Sequence, residues 1–66
     1  MKSILIAEKI KEYRRKNSMT QEEFGQIIGV SPQAISKWER GECYPDITFL
    51  PELAEILACD VSDFFG

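Results

Sequence analysis

Histidine is absent from this chain, and its two cysteines, Cys43 and Cys59, lie far apart with no C-x-x-C spacing. A zinc or dithiol redox site therefore has no ligand set, so no metal is expected, and both thiols are read as reduced side chains packed like small apolar groups. No nucleophile stands beside a base and no glycine-rich loop is spaced to cradle a phosphate, which argues against an enzyme and leaves no catalytic residue or cofactor to name. Long apolar runs are missing as well. The cluster at residues 4–7 is interrupted by Glu8, too soon for a signal-peptide core or a membrane span, so a cytoplasmic protein with no membrane partner is expected. Sixty-six residues read as one small domain, 1–66. Such a chain buries only about 60% of its unfolded surface, so its core needs tight helix packing or a partner subunit.

Basic residues are absent from one half of the chain. All eight lie within residues 1–41, against five acids, giving that part +3; residues 42–66 carry six acids and no base, giving −6. The overall −3 thus hides a strongly dipolar molecule.

What is present is concentrated in residues 21–40, QEEFGQIIGVSPQAISKWER. Thr20 and Glu23 form a T-x-x-E capping box that opens a helix with apolar positions Phe24, Ile27 and Ile28. Gly25 lies inside it, where glycine costs about 1 kcal/mol against alanine; a second helix crossing too close for a larger side chain accounts for it. Gly29 suits the left-handed residue that ends a helix and allows a sharp turn. Ser31 is then a good N-cap and Pro32 a good first helical residue. At about 100° per residue, Gln33, Ser36, Lys37 and Arg40 share one arc, while Ala34, Ile35 and Trp38 take the opposite side. One face can be buried while the other offers an amide, a hydroxyl, an ammonium and a guanidinium, the groups that bond base edges and phosphates.

The flanking segments complete an all-α reading. The first helix carries Ile6, Ile10 and Tyr13 on one stripe and runs to about Lys16, with Asn17 and Ser18 as its stop. A fourth helix over about residues 49–57 buries Leu50, Leu53, Ala54 and Leu57, with Thr48 as its cap because Pro51 rules out a start at Asp46. Asp60 and Asp63 suggest a capped last turn bearing Phe64 and Phe65, adjacent rings that cannot both enter one small core. Glu39 projects to the edge of the buried face beside Ile35, where a carboxylate needs a cation. Arg14 flanks the apolar stripe of the first helix and Arg15 points away, so Arg14 is the expected partner in a forked contact.

From about residue 6 to residue 65 the sequence resembles the Cro and phage-repressor type of helix-turn-helix domain, also called the xenobiotic-response-element family. The resemblance rests on a small residue at Gly25, glycine at Gly29, apolar residues at Phe24, Ile28, Val30, Ile35 and Trp38, and the stretches TQEEF, GVSPQAISKWERG and YPDI. It implies a compact five-helix bundle with a central helix-turn-helix, and the same Arg14–Glu39 pair. Ala58 departs from the pattern, which has glycine or asparagine at the end of the fourth helix.

Chemistry and resemblance together assign the roles. Gln33 can pair with adenine, Lys37 can donate to guanine, Ser36 can bond either kind of edge, and Pro32 offers an apolar contact to a thymine methyl. Gln21, Ser31 and Arg40 are expected to hold phosphates. The function implied is sequence-specific binding to double-stranded DNA, as a repressor that occupies a palindromic operator as a homodimer on DNA. A second reading stands beside it: an antitoxin whose acidic C-terminal half binds a partner protein while the same motif controls its own promoter.

Overall fold

The computed structural model describes residues 5–65, and its helices begin where the capping chemistry places them. Helix α1 spans Ile6–Lys16, α2 spans Gln21–Ile28 and α3 spans Pro32–Glu39. At the start of α2 the Thr20 hydroxyl accepts from the Glu23 N–H at 3.0 Å, and the Glu23 carboxylate accepts from the Thr20 N–H at 2.8 Å. Ser31 caps α3 by accepting from the Ala34 N–H at 3.2 Å. The last α-helix, α4, spans Leu50–Ile56 and follows directly on a 3-10 turn, Ile47–Phe49; a second 3-10 turn, Val61–Phe64, closes the described chain. The described residues thus hold four α-helices rather than five, and the place of the expected last helix is taken by the 3-10 turn Val61–Phe64. None of the helices is long and apolar enough to cross a membrane.

Asp46, not Thr48, caps the entry to α4. Its carboxylate accepts from both the N–H and the hydroxyl of Thr48, each at 3.0 Å. The 3-10 turn lets the chain begin coiling at Ile47 while Pro51 falls at the start of α4, where no hydrogen bond from its nitrogen is needed. These bonds from Thr48 hold the Asp46 carboxyl below its ordinary range.

All four helices end by the same device. One residue adopts a left-handed conformation: Ser18 (φ 50°), Gly29 (φ 90°), Gly41 (φ 73°) and Ala58 (φ 55°). The next N–H then returns five residues: Met19 to the Arg14 carbonyl at 2.9 Å, Val30 to Gly25 at 2.9 Å, Glu42 to Lys37 at 3.0 Å and Cys59 to Ala54 at 2.9 Å. This satisfies carbonyls that would otherwise face outward without a partner. Two exits use glycine, for which the left-handed region carries no penalty, and two use residues with a Cβ.

The core draws Ile6 and Ile10 from α1, Phe24 and Ile28 from α2, Ile35 and Trp38 from α3, and Leu50, Leu53 and Ala54 from α4. Tyr13 meets the Phe24 ring edge-on, centroids 5.8 Å apart, and Trp38 packs on Phe49 at 5.9 Å. Of the last two rings Phe64 is fully buried and Phe65 is 40% exposed, the division their adjacency requires. The Leu5 N–H donates to the Phe64 carbonyl at 2.7 Å and so ties the start of α1 to the final turn. Two apolar assignments are corrected: Ile27 is 48% exposed, because it lies off the Phe24–Ile28 stripe, and Cys43 is exposed in the loop after α3. Cys59 does pack against the core, and that burial raises its thiol pKa.

Of the described glycines only Gly25 is closely approached, and the approach comes from the turn. A Cβ there would stand 2.5 Å from the Val30 carbonyl oxygen, with Ile35 of α3 only at ordinary contact distance, 3.5 Å. The carbonyl that α2 must admit belongs to its own exit, so the glycine permits the turn and the helix crossing follows from it.

The two non-glycine exits store conformational cost at exposed sites. Ser18→Gly and Ala58→Gly are each expected to add about 0.5–1 kcal/mol, the left-handed penalty less the added freedom of the unfolded glycine. Gly41→Ala, with nothing within 4 Å of the point where its Cβ would stand, should lose about 1 kcal/mol for the conformational reason alone. Thermal melts check all three, and a fall in stability for both glycine variants would contradict the account.

Candidate nucleic-acid interface

The placement of α3 depends on a buried ion pair. The Arg14 Nε donates to Glu39 Oε2 at 2.5 Å and its Nη2 to Oε1 at 2.7 Å, the forked contact expected from the helical projections. Glu39 is only 7% exposed. The third guanidinium nitrogen, Nη1, donates to the Met19 carbonyl at 2.9 Å, and the Gln21 amide donates to Glu39 Oε1 at 3.2 Å. One carboxylate therefore gathers the end of α1, the start of α2 and the end of α3. Burial alone would push the Glu39 carboxyl up, but the hydrogen bonds from Arg14 and Gln21, with the Arg14 charge, outweigh it and leave the group below its ordinary value of 4.5.

With that end fixed, α3 turns Ile35 and Trp38 inward and leaves Gln33, Lys37 and Arg40 exposed. Ser36 and Pro32 are half-buried on its flank. Among the described residues no partner holds the Gln33 amide or the Lys37 ammonium. Ser31 accepts the Ala34 N–H through a lone pair, so its own hydroxyl proton stays available to an outside acceptor. The base-reading set expected from the sequence thus shares one side of one helix, from Pro32 at its first turn to Lys37 in its last.

Two of the expected phosphate ligands are already engaged. The Gln21 amide nitrogen faces Glu39, which leaves only its second N–H for another acceptor. Arg40 donates through Nη1 to the Ser36 hydroxyl one turn back and through Nε to the Glu42 carboxylate. The sequence reading does not single out Glu42; the signal for it is its position just past Gly41, where the chain folds back over α3. Between α1, the start of α2 and the end of α3 lies a shallow concavity whose lining includes Lys11, Gln21, Ser36 and Arg40. Lys11, likewise not singled out, is paired with Glu8 at 3.3 Å. No cluster of three or more cysteine, aspartate or glutamate side chains is arranged to hold a metal ion among the described residues.

A tight turn joining two short helices, the second capped, apolar inward and polar outward, defines the class of helix-turn-helix modules. The chain belongs to the helix-turn-helix family, whose sequence model matches residues 10–64. It is 39% identical over 59 residues to the repressor protein C2 of Salmonella phage P22, a match covering 89% of this chain and 27% of that protein. It is 37% identical over 59 residues to the HTH-type transcriptional regulator DicA of Escherichia coli K12, covering 88% of this chain and 43% of that one. This chain therefore spans less than half the length of either relative. The fold resembles the P22 c2 repressor crystallised with a synthetic operator, at a TM-score of 0.79 and 35% identity, covering 94% of both chains. The one relative is named a repressor and the other a transcriptional regulator, and neither name supports the antitoxin alternative.

Removing one partner of the buried pair strands the other. Arg14→Ala is expected to cost roughly 3–5 kcal/mol, and Arg15→Ala, at an exposed site one residue on, less than about 0.5 kcal/mol. Equal shifts in a thermal melt would argue against the pairing. Because the Glu39 carboxyl is depressed, its contribution is present above the ordinary value of 4.5 and lost as pH falls through the lower folded value. Glu39→Gln, less stable at neutral pH, should therefore lose less stability than the wild type on acidification below about 4.5. Denaturant midpoints measured across that range test it; parallel profiles would count against the assignment.

Proposed function

We propose that this chain is the DNA-reading domain of a cytoplasmic transcriptional regulator, which represses by occupying an operator. The observation that carries the reading is the split of α3, with Ile35 and Trp38 buried beneath exposed Gln33 and Lys37 and half-buried Ser36. The likeness to a repressor solved on operator DNA supports the same conclusion. In this reading Gln33, Ser36 and Lys37 meet base edges, with Pro32 against a thymine methyl. Ser31, Arg40 and the free N–H of Gln21 take phosphates, which set the register of the helix on the duplex.

One reading helix covers few base pairs, too little to discriminate among the competing sites of a genome, so two copies on half-sites about 34 Å apart complete the reader. Phe65, 40% exposed beside the buried Phe64, is an aromatic anchor suited to such an interface. The six acids of residues 42–66 oppose self-association, which favours a dimer that assembles on DNA.

Selection of bound sites from a random duplex library is expected to return an inverted repeat, and sedimentation with that operator two chains per site. Saturation at one chain on a site without symmetry would sink the dimer, and recovery of no preferred sequence at low salt would sink the reading itself. On the selected site Gln33→Ala and Lys37→Ala should each lose about 1–3 kcal/mol and relax base preference at one position. Arg40→Ala should instead weaken binding to every sequence and flatten the salt dependence by up to about one ion. An unchanged selected sequence for Lys37→Ala would remove that residue from the reading set.

A further inference from the structure

We infer that Glu42 is an internal stand-in for DNA phosphate: its carboxylate occupies the Arg40 guanidinium at the exposed end of the reading helix, and duplex binding proceeds by exchange of that carboxylate for a backbone phosphate. The inference rests on the DNA-binding reading above and adds to it a residue that opposes binding.

The backbone fixes the carboxylate in place. Gly41, at φ 73°, reverses the chain, its N–H returns to the Trp38 carbonyl at 3.2 Å, and the Glu42 N–H returns to the Lys37 carbonyl at 3.0 Å. Glu42 is thereby folded back over the last turn of α3, beside the cations that the DNA reading requires. Arg40 takes a carboxylate oxygen on Nε and the Ser36 hydroxyl on Nη1, so the three side chains form one connected set on the exposed face. The Glu42 carboxyl is held below its ordinary range, first by the hydrogen bond from Arg40 and further by the charges of Arg40 and Lys37.

Glu42 and Arg40 are each about half exposed, 53%, and an ion pair so wet contributes little to stability. Its weight falls on binding. A backbone phosphate, like the carboxylate, carries one negative charge and oxygens that accept from guanidinium N–H groups, so the two compete for one donor set. When phosphate takes Arg40, the released carboxylate stays near the duplex and retains a cation of its own, offsetting part of the counterion release that drives association. The exchange also frees the Ser36 hydroxyl from the Arg40 donor at the moment the helix meets base edges.

The experiment is a binding series at several salt concentrations, on the selected operator and on random duplex, for the wild type, Glu42→Gln, Arg40→Ala and the double variant. Glu42→Gln is expected to tighten binding to both duplexes by about fivefold at low salt, the scale of an exposed charge pair, and to steepen the salt dependence. In the Arg40→Ala background the same substitution should bring little gain, because the donor for which carboxylate and phosphate compete is gone. A gain of equal size in both backgrounds would show simple repulsion between Glu42 and DNA and overturn the exchange. A loss of affinity confined to one base position would overturn it in favour of a carboxylate that accepts from cytosine N4. A readout without DNA separates this from failure of the DNA reading: NMR titration of the Glu42 carboxyl, whose midpoint should rise in Arg40→Ala. No change there overturns the pair itself. A coupled titration in a protein that binds no duplex would overturn the phosphate exchange together with the DNA reading, while the pair stood.

Discussion

Glu39 is the point on which the arrangement of the first three helices depends. A carboxylate buried to this degree is tolerated only with its lone pairs filled and its charge met, and those demands are satisfied by Arg14 on α1 and Gln21 at the start of α2, while the Met19 carbonyl accepts the third guanidinium nitrogen and holds Arg14 in place. The forked contact has a single geometry. It fixes both the depth and the rotation of α3 about its axis, and so decides which residues of that helix reach outward.

The interface is consequently built from the inside. Once Glu39 and Trp38 are committed to the interior, the helical repeat leaves Gln33, Lys37 and Arg40 on the far side, and the Ser31 cap sets where that side begins. Gly25 belongs to the same construction, because the Val30 carbonyl must pass where its Cβ would stand for α3 to start at the right place. The acidic loop after α3 then adds Glu42 beside the cations.

Much of this is legible in the sequence where local rules decide it. The capping box at Thr20, the Ser31–Pro32 start of α3 and the exits at Gly29 and Ser18 follow from cap chemistry acting within a few residues, and the Arg14–Glu39 pair, 25 residues apart, from the helical projections and the need of a buried carboxylate for a cation. What escapes depends on tertiary placement or on irregular backbone. The Gln21 amide reads as a phosphate ligand because nothing in the sequence brings it within reach of Glu39, 18 residues away. Glu42 lies beyond the end of α3, so the helical projection that sorts the reading face does not include it. Ile27 and Cys43 are assigned to the interior by residue type, whereas an eight-residue helix has room to bury only a narrow stripe and the loop holding Cys43 stands away from the core. The start of α4 is expected within one residue of where it falls, but its cap is misassigned, because a 3-10 turn capped by Asp46 can lead into an α-helix ahead of a proline that an α-helix begun at Asp46 could not admit. The departure at Ala58 is real in another sense: the left-handed exit persists there without the residue that favours it.

The four helix exits share one further property, which is that their closing bonds run between backbone atoms. Helix ends secured in this way make few demands on exposed side chains, and α3 has such an exit behind it, a serine cap ahead of it and its apolar residues turned inward. Gln33 and Lys37 therefore carry little duty in holding the molecule together. If they read bases as proposed, drift at those two positions would reach the target sequence without passing through the stability of the fold, so a lineage built on this scaffold could change what it recognises by single steps while each intermediate remains folded.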